Sequence, residues 1–198
     1  MARPVAALVL AGGRSRRFGS HKALARFRGV PLVAHALAAA AAEFERVALV
    51  AKDVQRYARF APTGVALVED GTAIETPLAG LVAGFEWSPL DLVYSMAVDM
   101  PFAADAQLLD ALTAALGDHE AAVPVCRGQL EPLTALWRRG PALEAARALL
   151  AKNAGPRALA ETLRTARLEF DDQRPFLDAD TPEDLLRLEQ LISSAPRQ

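Results

Sequence analysis

The sequence predicts an α/β fold, a mostly parallel sheet with helices on both faces. Three observations carry this. Short apolar runs alternate with longer stretches of helical spacing over the first 125 residues. The runs are apolar nearly throughout, as strands buried on both faces are. The first run ends in Gly12-Gly13, a strand leading into a loop. A length of 198 residues fits one domain over 1–198, with 193–198 as a frayed end.

Val5–Ala11 is the first buried strand. Pro31 opens a helix through Glu43, since proline suits a first helical turn. Val47–Ala51 and Val65–Glu69 are two more strands. Pro77–Trp87 is a helix, with Leu78, Leu81, Val82 and Phe85 at helical spacing. Asp91–Val98 is a strand running into Asp99-Met100-Pro101. Asp105–Leu116 is a helix stopped by Gly117. Ala121–Val125 and Leu133–Trp137 are strands around a turn at Arg127-Gly128. Pro141–Lys152 and Pro156–Arg164 are helices, Arg167–Phe170 a strand, and Pro182–Leu191 a last helix capped by Thr181. Trp87 and Trp137 read as core, and His35 and His119 as helix-surface residues without a role.

Composition narrows the function. The chain is 52% hydrophobic and its net charge is −2, which excludes disorder and a global basic field for nucleic acid. Val5–Ala11 is too short to span a membrane and lacks the flanks of a signal peptide, so the expected location is the cytoplasm. A single cysteine, Cys126, excludes an internal disulfide and a multi-cysteine zinc site, and reads as a small buried hydrophobe.

Parallel α/β sheets bind ligands at the carboxyl ends of their strands. The strongest signal there is Leu10 to Lys22. Gly12 and Gly13 let backbone N–H groups approach a ligand, and Arg14, Arg16, Arg17 and Lys22 add four cations within nine residues. Amides plus cations suit a triphosphate, and a solvated surface loop is the plain alternative. Neither the Walker pattern nor the Gly-x-Gly-x-x-Gly fingerprint is present. Lysine is rare in this chain, 3 against 19 arginines, so a lysine kept at position 22 suggests a need for a compact ammonium. Asp99, just past a buried strand, suits a hard cation such as Mg²⁺ or a turn cap. Glu69-Asp70 either meets a base or ribose or caps a loop. Thr76 to Gly80 begins a helix whose N–H groups face an anion. Capping by Thr181 leaves Asp178 and Asp180 unexplained.

These residues resemble a known family. Leu10 to Lys22 reads Leu-Ala-Gly-Gly-x-Ser-x-Arg-Phe-Gly-x-x-Lys, similar to the signature loop of nucleotidyltransferases related to molybdenum cofactor guanylyltransferase. The resemblance continues through Gly29-Val30-Pro31-Leu32, Val68-Glu69-Asp70, Pro77-Leu78-Ala79-Gly80, Asp99-Met100-Pro101, Glu131 to Trp137, and Asp180-Thr181-Pro182-Glu183-Asp184-Leu185. It implies a three-layer Rossmann-like nucleotidyltransferase fold with a mostly parallel central sheet. It implies transfer of GMP from MgGTP to the terminal phosphate of molybdopterin. Leu10, Ala11, Gly12 and Gly13 would hold the nucleotide, Lys22 and Arg17 its phosphates, and Asp70 the nucleotide again. Asp99 would hold Mg²⁺, joined by Asp180. Pro77, Gly80, Asp178 and Asp180 would face the acceptor. Transient partners would be the proteins that supply the cofactor or mature molybdoenzymes.

Two departures from the pattern stand out. His21 stands where the family usually has Asp, and Asp178 and Asp180 where guanylyltransferases often have Asn. The Asp-Thr-Pro end resembles the sister cytidylyltransferases, whose first loop usually reads Leu-Ala-Ala-Gly. The Leu-Ala-Gly-Gly loop here sides with guanylyl transfer. Transfer of CMP to molybdopterin or of a nucleotide to a sugar phosphate is the near alternative. A non-catalytic nucleotide-binding regulator is the distant one.

Overall fold

The computed structural model describes residues 3–12 and 22–194. Expectations for Gly13, Arg14, Arg16, Arg17 and His21 lie outside these residues, as does the end of the tail, 195–198.

Strand β1 (Arg3–Leu10) leads through an undescribed stretch to a small hairpin, β2 (Arg26–Phe27) and β3 (Val30–Pro31). Helix α1 (Leu32–Glu43), β4 (Phe44–Ala51), β5 (Ala66–Glu69), α2 (Pro77–Trp87) and β6 (Leu92–Ala97) follow. Then come α3 (Ala106–Leu116), β7 (Ala121–Cys126), β8 (Gln129–Leu130), β9 (Ala135–Arg138), α4 (Arg139–Leu150), α5 (Pro156–Thr162), β10 (Thr165–Glu169) and α6 (Pro182–Ser194).

The main sheet runs β10-β7-β9-β6-β1-β4-β5, with β8 hairpinned onto β7. β1 pairs in parallel with both β4 and β6, β4 with β5, and β7 with β10. Within this sheet, among the described residues, β8 and β9 run antiparallel to their neighbours. The mostly parallel α/β sheet predicted from the sequence is therefore the fold.

Period-two alternation divides the core into two layers. Ala7 and Val9 of β1 pack with Val33 and Leu37 of α1 and Leu108 and Leu112 of α3. Ala6, Leu8 and Leu10 pack on the other face with Leu78, Leu81 and Phe85 of α2, Ala146 of α4 and Leu159 of α5. Each fully buried leucine such as Leu8 contributes about 1.5–3 kcal/mol, so β1 anchors both layers. A third cluster of Phe27, Leu32, Ala179, Leu185 and Leu188 fastens α6 to the β2–β3 hairpin.

Several local expectations needed correction. The strand expected at Leu133–Trp137 starts at Ala135, because Thr134 N–H donates to Glu131 O at 3.0 Å and closes a turn. The helix expected from Pro141 starts at Arg139. The β2–β3 hairpin turns through Arg28 and Gly29 with positive φ, and no periodicity announced so short an element. A 3₁₀ stretch at Val54–Phe60 begins where the Asp53 carboxylate accepts from Arg56 N–H at 3.3 Å. Trp87 is only half-buried, whereas Trp137 is fully buried and donates to Ser95 Oγ at 2.9 Å. His35 does have a structural partner, since its Nε2 hydrogen-bonds the Phe27 carbonyl at 2.8 Å. The last helix runs to Ser194, past Leu191.

Candidate active site

Because β1, β4, β5 and β6 are parallel, Leu10, Ala51, Glu69 and Ala97 end on one edge of the sheet. The chain leaving β1 is pinned there. Val98 N–H donates to Leu10 O at 3.0 Å, and Ala11 N–H donates to Val50 O at 2.8 Å. Gly12 follows, exposed, and a Cβ built on it would meet nothing within 4 Å.

Asp99 follows β6 on the same edge. A tight turn fixes it, with Met100 N–H on Ala97 O at 3.2 Å. Lys22 enters from the other side, at the start of a 3₁₀ turn over Lys22–Leu24 whose Ala23 is buried. The Lys22 ammonium donates both to Asp99 Oδ2 and to Asp180 Oδ1. Side-chain exposure falls from 48% at Asp180 to 22% at Asp99 and 12% at Lys22, so the ammonium is the inner member. Its burial pulls the Lys22 pKa down, but the two carboxylates outweigh that and hold it above the ordinary lysine value.

Asp180 arrives from 81 residues further along the chain than Asp99, carried by the segment before α6. Ala179 N–H donates to Asp99 O at 3.0 Å, which docks that segment onto the β6 edge. Just beyond, Thr181 and Asp184 cap α6 reciprocally. Thr181 Oγ1 accepts from Asp184 N–H at 3.2 Å, and Asp184 Oδ2 accepts from Thr181 N–H at 2.9 Å. The predicted Thr181 cap is thus in place. Partial burial and the nearby Asp180 and Asp99 charges raise the Asp178 carboxyl above the ordinary aspartate pKa.

Asp70 sits apart from this cluster. It is buried, its Oδ2 pairs with Lys52 Nζ at 3.2 Å, and its Oδ1 accepts from Thr72 N–H at 3.2 Å. The rarity of lysine singled out Lys22, and the same argument applied to Lys52 would have found this pair. At the start of α2, Thr76 Oγ1 accepts from Leu78 N–H at 3.3 Å, Pro77 is exposed, and Gly80 packs toward Leu10 and Val50.

Sequence reasoning missed a pocket of about 370 Å³ on the other side of Asp99, between the β7–β8 hairpin, the segment leading into α6 and α6 itself. Glu131, Asp178, Arg127, Phe176, Leu177 and Cys126 are among its walls. Arg127 donates to Gln173 Oε1 across it. Burial and the Asp178 charge push the Glu131 carboxyl above its ordinary range. The sequence signals that touch it were Asp178, left over by the helix cap, and Glu131, a carboxylate just before Pro132 in the family-like stretch.

Among the described residues no group of three or more His, Cys, Asp or Glu gathers as a metal cage. None of the described helices is long and apolar enough to cross a membrane. A mostly parallel sheet with a lysine-bridged carboxylate pair at its carboxyl edge places the chain among the α/β proteins that bind ligands at that edge.

The comparisons narrow that class. The MobA-like NTP transferase domain matches residues 7–168, and the chain belongs to this family of nucleotidyltransferases. Molybdenum cofactor guanylyltransferase from Cereibacter sphaeroides is 33% identical, over 93% of this chain and 95% of its own length. The Rhodobacter capsulatus protein of the same name is 34% identical, over 97% and 99%. Among solved structures, molybdopterin-guanine dinucleotide biosynthesis protein A from Archaeoglobus fulgidus has the same fold. Its TM-score is 0.79 at 23% identity, covering 96% of this chain and all of its own. So has 2-C-methyl-D-erythritol 4-phosphate cytidylyltransferase from Thermus thermophilus, at a TM-score of 0.68 and 19% identity, covering 98% and 100%.

Proposed function

We propose that this nucleotidyltransferase moves GMP from magnesium-bound GTP to the terminal phosphate of molybdopterin, forming the guanine dinucleotide cofactor and pyrophosphate. The observation that carries the reading is the Lys22 ammonium shared by Asp99 and Asp180 at the carboxyl edge of the sheet. Curated relatives about one-third identical over nearly the whole chain carry the name guanylyltransferase.

The residues fit a hard divalent cation. Asp99 Oδ2 and Asp180 Oδ1 already converge on one cation, the ammonium that stands in for a metal, and two carboxylates plus substrate phosphates are an ordinary magnesium donor set. Bound there, Mg²⁺ would neutralise charge on the triphosphate and on the pyrophosphate leaving group. Lys22, handed from the carboxylates to phosphate oxygens, offsets the same charge, with Arg17 as its partner cation. Backbone groups of Leu10, Ala11, Gly12 and Gly13 take the guanine, and Asp70 orients the nucleotide through its loop. Pro77, Gly80, Asp178 and Asp180 face the acceptor. An acceptor phosphate oxygen forms the new bond to the α-phosphorus as the bond to the β-phosphate oxygen breaks. That oxygen is already ionised at neutral pH, so no general base is required, and positioning plus electrostatics supply the rate. Partner proteins on this reading are those that deliver the cofactor and those that place it in molybdoenzymes.

Pyrophosphate release with molybdopterin, Mg²⁺ and each nucleoside triphosphate in turn tests the reading. GTP should support turnover well above CTP and ATP. Equal or better turnover with CTP overturns guanylyl transfer in favour of cytidylyl transfer, and no release with any triphosphate overturns catalysis.

A further inference from the structure

We infer that the pocket between the β7–β8 hairpin and the segment before α6 holds the fused-ring end of the acceptor, a planar heterocycle of the pterin class, and that Glu131 reads its N–H edge. This rests on the transfer reading above and names where the acceptor's ring lies.

The sheet order gives the first argument. Asp99 follows β6, near the middle of the sheet. The β1 and β5 ends, with Gly12 and Asp70, lie on one side of it, and β9, β7 and β10 lie on the other. A transfer site at Asp99 needs a donor on one side and an acceptor on the opposite side. The nucleotide side is claimed by the Gly12 loop, so the pocket beside β7 is left to the acceptor. Asp178 joins the two, since it lines the pocket and stands two residues before Asp180.

The pocket's chemistry gives the second. Its volume lies within the range of about 300–1,000 Å³ typical of small-molecule sites. Phe176, Leu177 and Cys126 offer apolar surface for a flat ring, while Glu131 and Asp178 offer carboxylate oxygens. A carboxylate accepts two parallel N–H bonds, which matches the adjacent ring N–H and amino group of a 2-amino-4-oxopyrimidine edge. Glu131 and Asp178 line the same cavity, so a ring between them can offer N–H donors to both. Arg127, tied to Gln173, sets a cation on the same wall for the ring carbonyl. Guanine carries the same edge, so the test must separate the two rings.

The comparison gives the third. The family domain spans 7–168, while Phe176, Leu177 and Asp178 come from the segment after it. The pocket is thus built partly from chain beyond the domain that defines the family, where a choice of acceptor is expected to be written.

The test uses a phosphate-free pterin, followed by its own fluorescence, with guanosine as competitor. It uses wild type, Glu131→Gln, and Leu177→Trp, which fills the pocket while leaving Glu131 and Asp178 in the chain. MgGTP binding is followed in parallel by thermal shift. Pterin should bind wild type, lose about tenfold or more in affinity with Glu131→Gln, and lose binding with Leu177→Trp, while the MgGTP shift stays unchanged in both. Guanosine should compete weakly. Failure of pterin to bind wild type, equal binding to Glu131→Gln, or guanosine competing as well as pterin overturns the inference. Pterin binding of this pattern in a protein that releases no pyrophosphate from GTP supports the pocket and overturns the transfer reading alone.

Discussion

The backbone N–H of Ala179 donates to the backbone carbonyl of Asp99 at 3.0 Å. Through that bond, main chain rather than side chain holds the segment before α6 against the end of β6. Asp180 is delivered to Lys22 as a consequence, and the reciprocal cap between Thr181 and Asp184 fixes the chain just beyond it. The two carboxylates therefore meet on a frame that survives changes to either side chain. Oxygens that share one ammonium donor lie within about 6 Å of each other, close enough for one hydrated ion.

Lys22→Met should increase the affinity of the nucleotide-free protein for a divalent cation. The ammonium holds both carboxylates, so a metal must displace it, and the methionine removes the competitor. Turnover should fall about 10²–10³-fold, as when one donor to a developing anion is lost. Mn²⁺ titration by electron paramagnetic resonance reads the first effect and steady-state kinetics the second. Weaker Mn²⁺ binding in the variant would sink this account of Lys22.

Asp99→Asn and Asp180→Asn should differ. Asp99 is the more enclosed carboxylate and sits on the sheet edge itself, whereas Asp180 is half exposed. Asp99→Asn should nearly abolish turnover. Asp180→Asn keeps an oxygen and its main-chain anchor, so it should remain active while needing more Mg²⁺. A magnesium titration of kcat for both variants checks this, and equal loss in the two would contradict it.

The fold was legible because its signals are periodic and local. Apolar runs such as Val5–Ala11 marked strands buried on both faces, and Pro77 with Phe85 marked a helix. The candidate site was legible in its residue types and in the motifs that resemble the family, which named Lys22, Asp99 and Asp180. That Lys22, Asp99 and Asp180 meet could not be read from spacing, since 77 and 81 residues separate them and the sheet order decides their distance. Glu131 fell within a family-like stretch but carried no assigned role, because a lone carboxylate beside a turn has no pattern, and only the closure of the α6 segment makes it a pocket wall. The β2–β3 hairpin was missed because two-residue strands carry no period.

Gly84→Ala and Gly80→Ala should have opposite effects on stability. A Cβ at Gly84 would stand 2.3 Å from Leu8 Cδ1 and 2.8 Å from Cδ2, with Leu8 fully buried. Overpacking of about 1–3 kcal/mol should outweigh the roughly 1 kcal/mol that alanine gains over glycine in a helix. A Cβ at Gly80 meets Leu10 and Val50 at 3.4 and 3.7 Å, so there the helix term should prevail. Thermal unfolding should give a lower Tm for Gly84→Ala and an equal or higher one for Gly80→Ala. A Gly80→Ala protein with full stability and a raised KM for acceptor would mark Gly80 as facing it.

Glu131→Gln should stabilise the fold at neutral pH. Burial and the Asp178 charge raise the Glu131 carboxyl above its ordinary value of 4.5, so the folded state binds that proton more tightly than the unfolded chain does. Between the ordinary and the raised value the native state carries more protons. Stability therefore falls as pH rises through that window, and the full cost of the charge is in force above it. Glutamine removes the charge. The Tm of Glu131→Gln should exceed that of wild type at pH 7, and the gap should close as pH drops to the ordinary carboxylate range and below. A carboxylate kept where it weakens the fold is the expected mark of a residue held for binding, so the variant that gains stability should be the one that loses pterin. A Tm difference of either sign that stays constant with pH would remove the electrostatic cost from the account.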